Sequence, residues 1–193
     1  MSAVKILAFA GSLRAASYNK QLARLAADAA RAAGAEVTLL DLRDYPMPLY
    51  DGDLERDEGL PGHARRLRAL FKAHDGFLIA CPEYNAGMPA VLKNTIDWVS
   101  RKDGDEVGTV AFEGRLAALC GATPGQFAAL RGMEATRQVL ANLGCNVLSR
   151  RLGVPRAHEA FDPAGALRDP ALAAGLETLA SELVRSAGRL RAP

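Results

Sequence analysis

The chain has 193 residues, of which 49% are hydrophobic and 24% charged, with a formal net charge of +2 at pH 7. This composition is typical of one globular domain covering residues 1–193, and it argues against nucleic acid or a membrane surface as the partner. Cys81, Cys120 and Cys145 form no CxxC pair. We therefore expect free thiols in a cytoplasmic protein rather than a disulfide framework.

The first predicted element is a strand at residues 4–10 (VKILAFA), a nearly continuous apolar run. Such runs are typical of parallel strands that are covered on both faces. The run ends at Gly11 without a plausible cleavage site, so we interpret it as a core strand rather than a signal peptide. No apolar stretch approaches the roughly 18 residues of a membrane-spanning helix.

The stretch after this strand, residues 11–19 (GSLRAASYN), joins a Gly-Ser turn to the start of a helix. Backbone N–H groups at a helix start have no partner within the helix, and the helix dipole favours negative charge there. Four side chains can add donors, namely Ser12, Arg14, Ser17 and Asn19. We therefore predict a phosphate-binding site here. The alternative is a helix start that Ser17 merely caps.

The kind of phosphate follows from what this stretch lacks. Gly11 is its only glycine, and it matches neither GxGxxG nor GxxxxGK[ST]. A dinucleotide pyrophosphate or a nucleoside triphosphate held by those motifs is therefore disfavoured. A monophosphate held by hydroxyls, one arginine and backbone N–H groups suits these residues better.

The next elements complete a β-α-β unit. Apolar residues at helical spacing continue the first helix to Gly34, and residues 36–42 (EVTLLDL) predict a second strand. Residues 43–62 contain three prolines and are predicted to form a long surface loop. That loop is either a solvated connection or a rim over a binding site or subunit contact. A second helix is predicted at about 64–73.

A third buried strand is predicted at residues 76–81, followed by a loop that Pro82 and Pro89 bracket. Pro89 suits the first residue of the third helix, because its missing N–H is not needed there. Residues 102–114 should be irregular. The remaining predictions are strands at 115–121 and 145–154, a helix from the 121–125 turn to about 143, and a last helix at about 170–189.

Five strands alternating with five helices predict a three-layer α/β domain with a five-stranded parallel sheet. In such sheets ligands bind outside the carboxyl ends of the strands. Three unusual loops follow strand ends, at residues 11–19, 82–89 and 121–129. We therefore expect these loops to converge on one site.

Two blocks together, GSLRAASYNKQLA and PEYNAGMPAVLKNTIDWVSR, resemble the NADPH-dependent FMN reductase family of the flavodoxin superfamily. That family includes quinone, azo-dye and chromate reductases. The resemblance implies a flavodoxin-like fold, one FMN bound non-covalently per subunit, and NADPH or NADH as co-substrate. It also implies a homodimer or homotetramer whose flavin site lies near the subunit contact.

The resemblance also assigns residues. The side chains that resemble the family's FMN phosphate ligands are Ser12, Arg14, Ser17 and Asn19. The loop that resembles its isoalloxazine-binding segment contributes Pro82, Glu83, Tyr84, Asn85 and Gly87. The segment from Thr123 to Phe127 resembles the border of the other edge of the flavin.

This sequence departs from the family pattern at two places. Many relatives carry serine where this chain has Gly87, so a hydroxyl contact is lost there. Many also carry paired glycines where Ala128 and Ala129 stand. These departures bear on the choice of substrate more than on FMN binding.

Some of these residues also have purely structural interpretations. Tyr84 and Asn85 could serve only as a packing residue and a turn residue. Glu83 has no second acid or histidine beside it in sequence, so we expect it to pair with an arginine rather than to act as an acid or base. Trp98 is expected in the core or an interface.

The thiols and histidines give no stronger signal. Cys81 and Cys120 end neighbouring predicted strands, and we expect them to act as small hydrophobic residues rather than as redox thiols. His63, His74 and His158 lack the spacing of metal ligands, so we predict no metal site.

The combined hypothesis is an FMN-dependent oxidoreductase without a dedicated catalytic side chain, since the flavin ring carries the chemistry. By resemblance, NADPH passes a hydride to flavin N5, and a quinone, azo dye, chromate or free flavin is then reduced. Two other classes stay open. One is a flavodoxin-type electron carrier, a class that is usually strongly acidic, and the other is a non-catalytic nucleotide-binding module.

Overall fold

The computed structural model describes residues 2–191. Its centre is a parallel sheet of five strands in the order β2-β1-β3-β4-β5. The strands are β1 (Lys5–Ala10), β2 (Glu36–Leu40), β3 (Gly76–Ala80), β4 (Leu116–Ala122) and β5 (Asn146–Val154). The helices are α1 (Tyr18–Ala32), α2 (Gly52–Glu58), α3 (Gly62–Ala73), α4 (Ala90–Val99), α5 (Leu130–Asn142), α6 (Ala157–Ala160) and α7 (Pro170–Leu190). The predicted three-layer α/β architecture is confirmed.

The central strands are apolar throughout because helices cover both faces of the sheet. Every residue of β3 and β4 is buried, as is every residue of β1 after Lys5. Along β1, Ile6 and Ala8 pack with α1 and α7. Leu7 and Phe9 pack on the opposite face with α3 and α4. Within residues 2–191 no helix is both long enough and apolar enough to cross a membrane.

The order of the strands creates a switch point between β1 and β3. The chain places β2 on one side of β1 and then returns to place β3 on the other side. Ala10 and Ala80, the last residues of β1 and β3, are paired in register. Gly11 N–H then donates to the carbonyl of Ala80 at 2.9 Å. The loops after these two strands therefore begin side by side, where ligands bind in such sheets.

The segment predicted as one long loop, residues 43–62, is partly helical. It contains the end of a 3-10 turn (Leu42–Asp44) and all of α2. The aspartate before α2, Asp51, caps that helix by accepting from Asp53 N–H at 2.8 Å. The prolines concealed this short helix, because they lie before and after it.

The first part of that segment is fixed to α4 rather than solvated. Trp98 is fully buried, and its indole N–H donates to the carbonyl of Pro48 at 2.8 Å. The ring of Tyr50 packs edge-on against Trp98, with centroids 5.1 Å apart. The prediction of a core position for Trp98 is confirmed.

One smaller prediction about an element boundary was wrong. Pro89 is the N-cap of α4 and Ala90 is the first helical residue. The predicted strand at residues 145–154 is confirmed, since β5 is one strand from Asn146 to Val154. The pairing register between β4 and β5 shifts within this strand, since Ala117 pairs with Val147 but Leu119 pairs with Arg151. That irregularity carries the exposed polar residues that interrupt the apolar pattern.

The predicted irregular segment after α4 is organised around one buried arginine. Arg68 of α3 is 2% exposed. Its guanidinium donates to the carbonyls of Val99, Arg101, Val107 and Gly108 at 2.8–3.1 Å, and to the Glu106 carboxylate at 2.9 Å. Planar guanidinium groups suit such multiple acceptors. Arg68 therefore holds residues 99–108 against α3.

We predict that Arg68→Met lowers the free energy of unfolding by about 3 kcal/mol, because buried acceptors lose a charged donor. Urea denaturation measures the change. The matched control is Lys72→Met, which removes the other cation paired with Glu106 but at the protein surface. Equal effects of the two substitutions would contradict the role of Arg68 as the organiser of this segment.

Candidate functional site

A cleft opens at the carboxyl ends of β1, β3 and β4. Its lining consists of Ser12, Arg14, Ser17, Tyr18, Asn19, Pro82, Glu83, Tyr84, Ala122, Thr123 and Pro124. The three loops therefore converge as expected. All the predicted site residues lie in this lining except Asn85 and Gly87, which follow Tyr84 in the same loop. A larger, mainly apolar groove between α1 and α7 contains none of them.

The start of α1 forms one end of the cleft. Ser17 occupies the N-cap position, but its hydroxyl makes no capping hydrogen bond. The first hydrogen bond of the helix runs from Gln21 N–H to the carbonyl of Ser17. The preceding N–H groups, from Tyr18 to Lys20, therefore have no acceptor within the helix. A hydroxyl and several N–H donors remain available, so the structure does not support capping as the sole role of Ser17.

The charge at this end is positive. Arg14 is exposed and has no carboxylate partner among residues 2–191. The hydroxyl of Ser12, which is 2% exposed, accepts from Arg14 N–H at 3.3 Å and so closes the turn. Since the helix dipole adds partial positive charge, the site suits an anion that carries several acceptor oxygens.

The side chain of Asn19 was predicted to bind the phosphate, but it makes its hydrogen bonds within the protein. Its amide nitrogen donates to the carbonyl of Ala122 at 2.8 Å, and its amide oxygen accepts from Ala122 N–H at 2.9 Å. The buried amide thereby ties the first turn of α1 to the end of β4. Both polar atoms of the side chain are thus occupied, whereas the backbone N–H of Asn19 has no acceptor within the helix.

The loop after β3 ends in a tight turn at the other end of the cleft. Tyr84 and Gly87 exchange two backbone hydrogen bonds, of 3.0 and 2.9 Å. The residues between them, Asn85 and Ala86, have left-handed backbone with φ of 48° and 63°. This is a two-residue hairpin turn, in which asparagine is favoured at the first position.

The side chain of Tyr84 is not a packing residue, since it is 50% exposed. The N–H groups of Asn85 and Ala86 find no acceptor in the part of the chain that the structure describes. Gly87 is not required by the backbone, because a Cβ there would only come within 3.7 Å of the carbonyl of Tyr84. The turn therefore offers an exposed aromatic ring together with unpaired backbone donors.

The carboxylate of Glu83 joins this loop to α5. It accepts from the backbone N–H groups of Arg131 and Gly132 at 2.9 and 3.2 Å, and from Arg131 Nε at 2.8 Å. Burial raises the pKa of Glu83, but the Arg131 side chain and the two backbone N–H groups outweigh burial and hold the pKa below its usual value. The predicted arginine partner is confirmed. An ionised carboxylate with these donors is an anchor rather than a general acid.

Close packing accompanies this contact. A Cβ on Gly132 would lie 2.8 Å from the carbonyl oxygen of Pro82, so only glycine lets α5 approach the loop. Just before α5, Ala128 and Ala129 both have left-handed backbone, with φ of 52° and 58°. Glycine would adopt this conformation without strain, whereas alanine pays about 1 kcal/mol or more at each position.

The loop after β4 forms the third wall. Thr123 N–H donates to the carbonyl of Val154 and the carbonyl of Thr123 accepts from Ala157, so the loop is fixed to the end of β5. The Thr123 hydroxyl accepts from Gly125 N–H at 3.3 Å. The non-glycine residues with left-handed backbone within residues 2–191 all follow β3, β4 or β5, namely Asn85, Ala86, Ala128, Ala129 and Arg156. Backbone strain is therefore concentrated on the edge of the sheet that carries the cleft.

The comparisons with known proteins agree with this geometry. The family model for NADPH-dependent FMN reductases matches residues 4–159, a range that includes all three loops. This chain belongs to that family. It is 36% identical over 167 residues to an NAD(P)H-dependent FMN reductase from Pseudomonas aeruginosa. The alignment covers 86% of this chain and 85% of the relative.

Two further proteins support membership of the FMN reductase family. The chain is 32% identical over 194 residues to a probable NADPH:quinone oxidoreductase from Oryza sativa subsp. japonica, covering 98% of this chain and 91% of the relative. Its fold is similar to that of FerB, a flavoenzyme NAD(P)H:(acceptor) oxidoreductase from Paracoccus denitrificans. The TM-score is 0.81 at 26% identity, over 96% of this chain and 98% of that one. The fold is thus flavodoxin-like, as the resemblance implied.

The thiols of this FMN reductase family member lie away from the surface of the cleft. Burial raises the pKa of Cys81 to about 12 and also raises the pKa of Cys120. Thiols that remain protonated are poor nucleophiles, which agrees with the predicted role as small hydrophobic residues. Among residues 2–191 no group of three or more His, Cys, Asp or Glu side chains is arranged to share a metal ion.

Two residues at the site, Tyr18 and Arg131, were missed by sequence reasoning. Tyr18 lines the cleft, and its ring stacks parallel to that of Phe161, with ring centroids 6.1 Å apart. Arg131 was missed as the partner of Glu83 because 48 residues separate them. Only the convergence of the loops brings such residues together.

We predict that Glu83→Gln lowers the free energy of unfolding at pH 7 by about 2 kcal/mol, because charge-assisted bonds to Arg131 and Gly132 are weakened. The folded-state pKa of Glu83 is lowered, so its stabilisation is complete above the unfolded pKa of about 4.3. It is lost as the pH falls through the lower folded-state value. Denaturation at a series of pH values should therefore show the wild type and variant converging in acid.

Glu134→Gln is the matched control for this experiment. Glu134 also pairs with arginines, Arg137 and Arg151, but on the exposed surface of α5. We expect a much smaller change in the free energy of unfolding, because the ion pairs of Glu134 lie on the protein surface. A Glu83→Gln variant as stable as the wild type at pH 7 would refute the anchoring role.

Proposed function

We propose that this protein is an NAD(P)H-dependent, FMN-containing oxidoreductase that reduces a quinone or a similar small acceptor, such as an azo dye, chromate or free flavin. The observation that carries the proposal is one cleft that is lined both by the start of α1, with its unpaired N–H groups, and by the loop that carries Tyr84. A flat molecule with a phosphate tail fits such a cleft. Because the chain belongs to the NADPH-dependent FMN reductase family, we identify that molecule as FMN.

At the phosphate end, the hydroxyls of Ser12 and Ser17 would bind the FMN phosphate together with the N–H groups at the start of α1. Arg14 would supply the compensating positive charge. The phosphate thereby replaces the missing acceptors of the helix start, which is the physical reason why these residues fit the group. Asn19 would contribute its backbone N–H and hold α1 in place.

At the ring end, the turn from Tyr84 to Gly87 would hold the isoalloxazine ring. The unpaired N–H groups of Asn85 and Ala86 are donors suited to the polar edge of the ring, and Pro82 and Thr123 form neighbouring walls. Glu83 fixes the turn through Arg131 and does not take part in proton transfer. A rigid mount of this kind orients the ring before the substrates arrive.

The chemistry requires no nucleophile from the protein. Bound FMN would supply it by accepting a hydride from NAD(P)H and passing the two electrons to the acceptor. Overall, NAD(P)H, one proton and a quinone give NAD(P)+ and a hydroquinone. The residues of the cleft bind, orient and leave one side of the site open, so that NAD(P)H and the acceptor can use it in turn.

We also propose that the whole chain is a single FMN-binding domain that acts in the cytoplasm as a homodimer or homotetramer. Three free cysteines, all buried, suit a reducing compartment. Large apolar side chains are exposed on the cleft loops, including Leu13 and Leu130 at 51% and 42%. Exposed apolar groups near a site are often covered by a second subunit.

The test of the proposed function is anaerobic mixing of the FMN-loaded protein with NADPH. We expect rapid loss of the yellow flavin absorption, and its return when a quinone is added. A protein that stays yellow would support the electron-carrier alternative, although its net charge of +2 is unlike that usually acidic class. A protein that stays colourless after incubation with FMN would overturn flavin binding itself.

We predict that Arg14→Ala weakens FMN binding roughly 10-fold, because one charge-assisted contact to the phosphate is lost. Fluorescence titration of the apoprotein with FMN measures the dissociation constant. Arg24→Ala is the matched control, since Arg24 is an exposed arginine on α1 that lies outside the cleft lining. Unchanged affinity in the Arg14 variant would contradict the assignment of the phosphate end.

A further inference from the structure

One exposed aromatic side chain beside the cleft is held in place without being buried. Phe127, in the loop between β4 and α5, is 62% exposed. The guanidinium carbon of Arg131 lies 4.3 Å from the centroid of its ring. A cation over an aromatic face at this distance is attractive. The ring therefore has one face against Arg131 while most of its surface remains open.

The position of that ring is tied to the cleft. Arg131 is held by Glu83, whose carboxylate accepts from Arg131 Nε at 2.8 Å, and Glu83 itself lines the cleft. On the backbone side, the carbonyl of Phe127 accepts from Leu130 N–H at 3.0 Å. Side-chain and backbone contacts thus hold the ring relative to the turn that carries Tyr84.

The left-handed backbone after Phe127 adds to this restraint. Ala128 and Ala129 hold a conformation that alanine rarely adopts. Ala129 is fully buried, and a Cβ placed on Gly121 would meet its Cβ at 2.8 Å. The loop is therefore packed against the end of β4. Strained backbone that the surrounding structure maintains is common at ligand-binding sites.

We propose that Phe127, backed by Arg131, is the platform on which the electron acceptor stacks at the rim of the cleft. The inference rests on the proposed function and narrows its substrate class. An exposed, pre-positioned aromatic ring favours planar aromatic acceptors such as naphthoquinones and aromatic azo compounds. It offers little to a small hydrophilic oxyanion such as chromate, which has no flat apolar surface.

The test compares FMN-loaded wild type with Phe127→Ala and Phe127→Tyr at saturating NADPH. Acceptors are menadione, a planar naphthoquinone, and ferricyanide, a hydrophilic complex without such a surface. Loss of aromatic stacking should lower the ratio of the kcat/KM values, menadione over ferricyanide, roughly 10-fold in Phe127→Ala. Phe127→Tyr keeps the ring and should keep the ratio. Calorimetric titration of the oxidised protein with menadione should show a dissociation constant raised by a similar factor.

Val107→Ala is the matched control, because Val107 is similarly exposed, at 61%, but lies after α4 and outside the cleft lining. Its kcat/KM ratio should equal that of the wild type. Light scattering measures the oligomeric state of each variant and so reports whether Phe127 instead lies in a contact between subunits.

The outcomes separate the two proposals. An unchanged ratio and menadione affinity in Phe127→Ala would overturn the platform while leaving the oxidoreductase intact. A change in oligomeric state in Phe127→Ala would overturn it in favour of a subunit contact. A wild type whose flavin is not bleached by NADPH would overturn the proposed function and the platform together.

Discussion

The cleft depends on the contact between the Glu83 carboxylate and the start of α5. Parallel strands end at the same edge of the sheet, but their loops are irregular and have no ladder to hold them together. Glu83 supplies that link, since it accepts from the backbone and side chain of Arg131 and from Gly132. This single carboxylate thereby satisfies free N–H groups at the start of α5 and fixes the loop that carries Tyr84.

The side-chain amide of Asn19 also links two loops of the cleft. Its two hydrogen bonds to Ala122 join the start of α1 to the end of β4. With both contacts made, three loops from separate strands form one rigid mount. Within residues 2–191, unpaired N–H donors remain at the start of α1 and in the turn after Tyr84. Buried polar groups are usually satisfied, so free donors beside a cleft suit the binding of a polar ligand.

The two places where this chain departs from the family pattern differ in how the backbone accommodates them. Ala128 and Ala129 adopt a backbone that glycine would adopt more easily, and the loop keeps its shape because Ala129 is buried at the end of β4. Gly87, by contrast, replaces a side chain that the backbone would accept. The first departure lies in the loop that carries Phe127, and the second lies in the turn after Tyr84. Both are therefore outside the start of α1.

The sequence by itself determined the sheet, the order of its elements and the loops that meet at its edge. Apolar runs and helical spacing are local signals, and parallel strands bring their loops together whatever the details. It also indicated the unpaired donors at the start of α1, because a helix start carries its own free N–H groups. The tertiary structure alone decided the partners of Glu83 and Asn19, the short helix within residues 43–62 and the exposure of Phe127. Those features depend on contacts between residues far apart in the chain, and no local pattern encodes which distant group a side chain will meet.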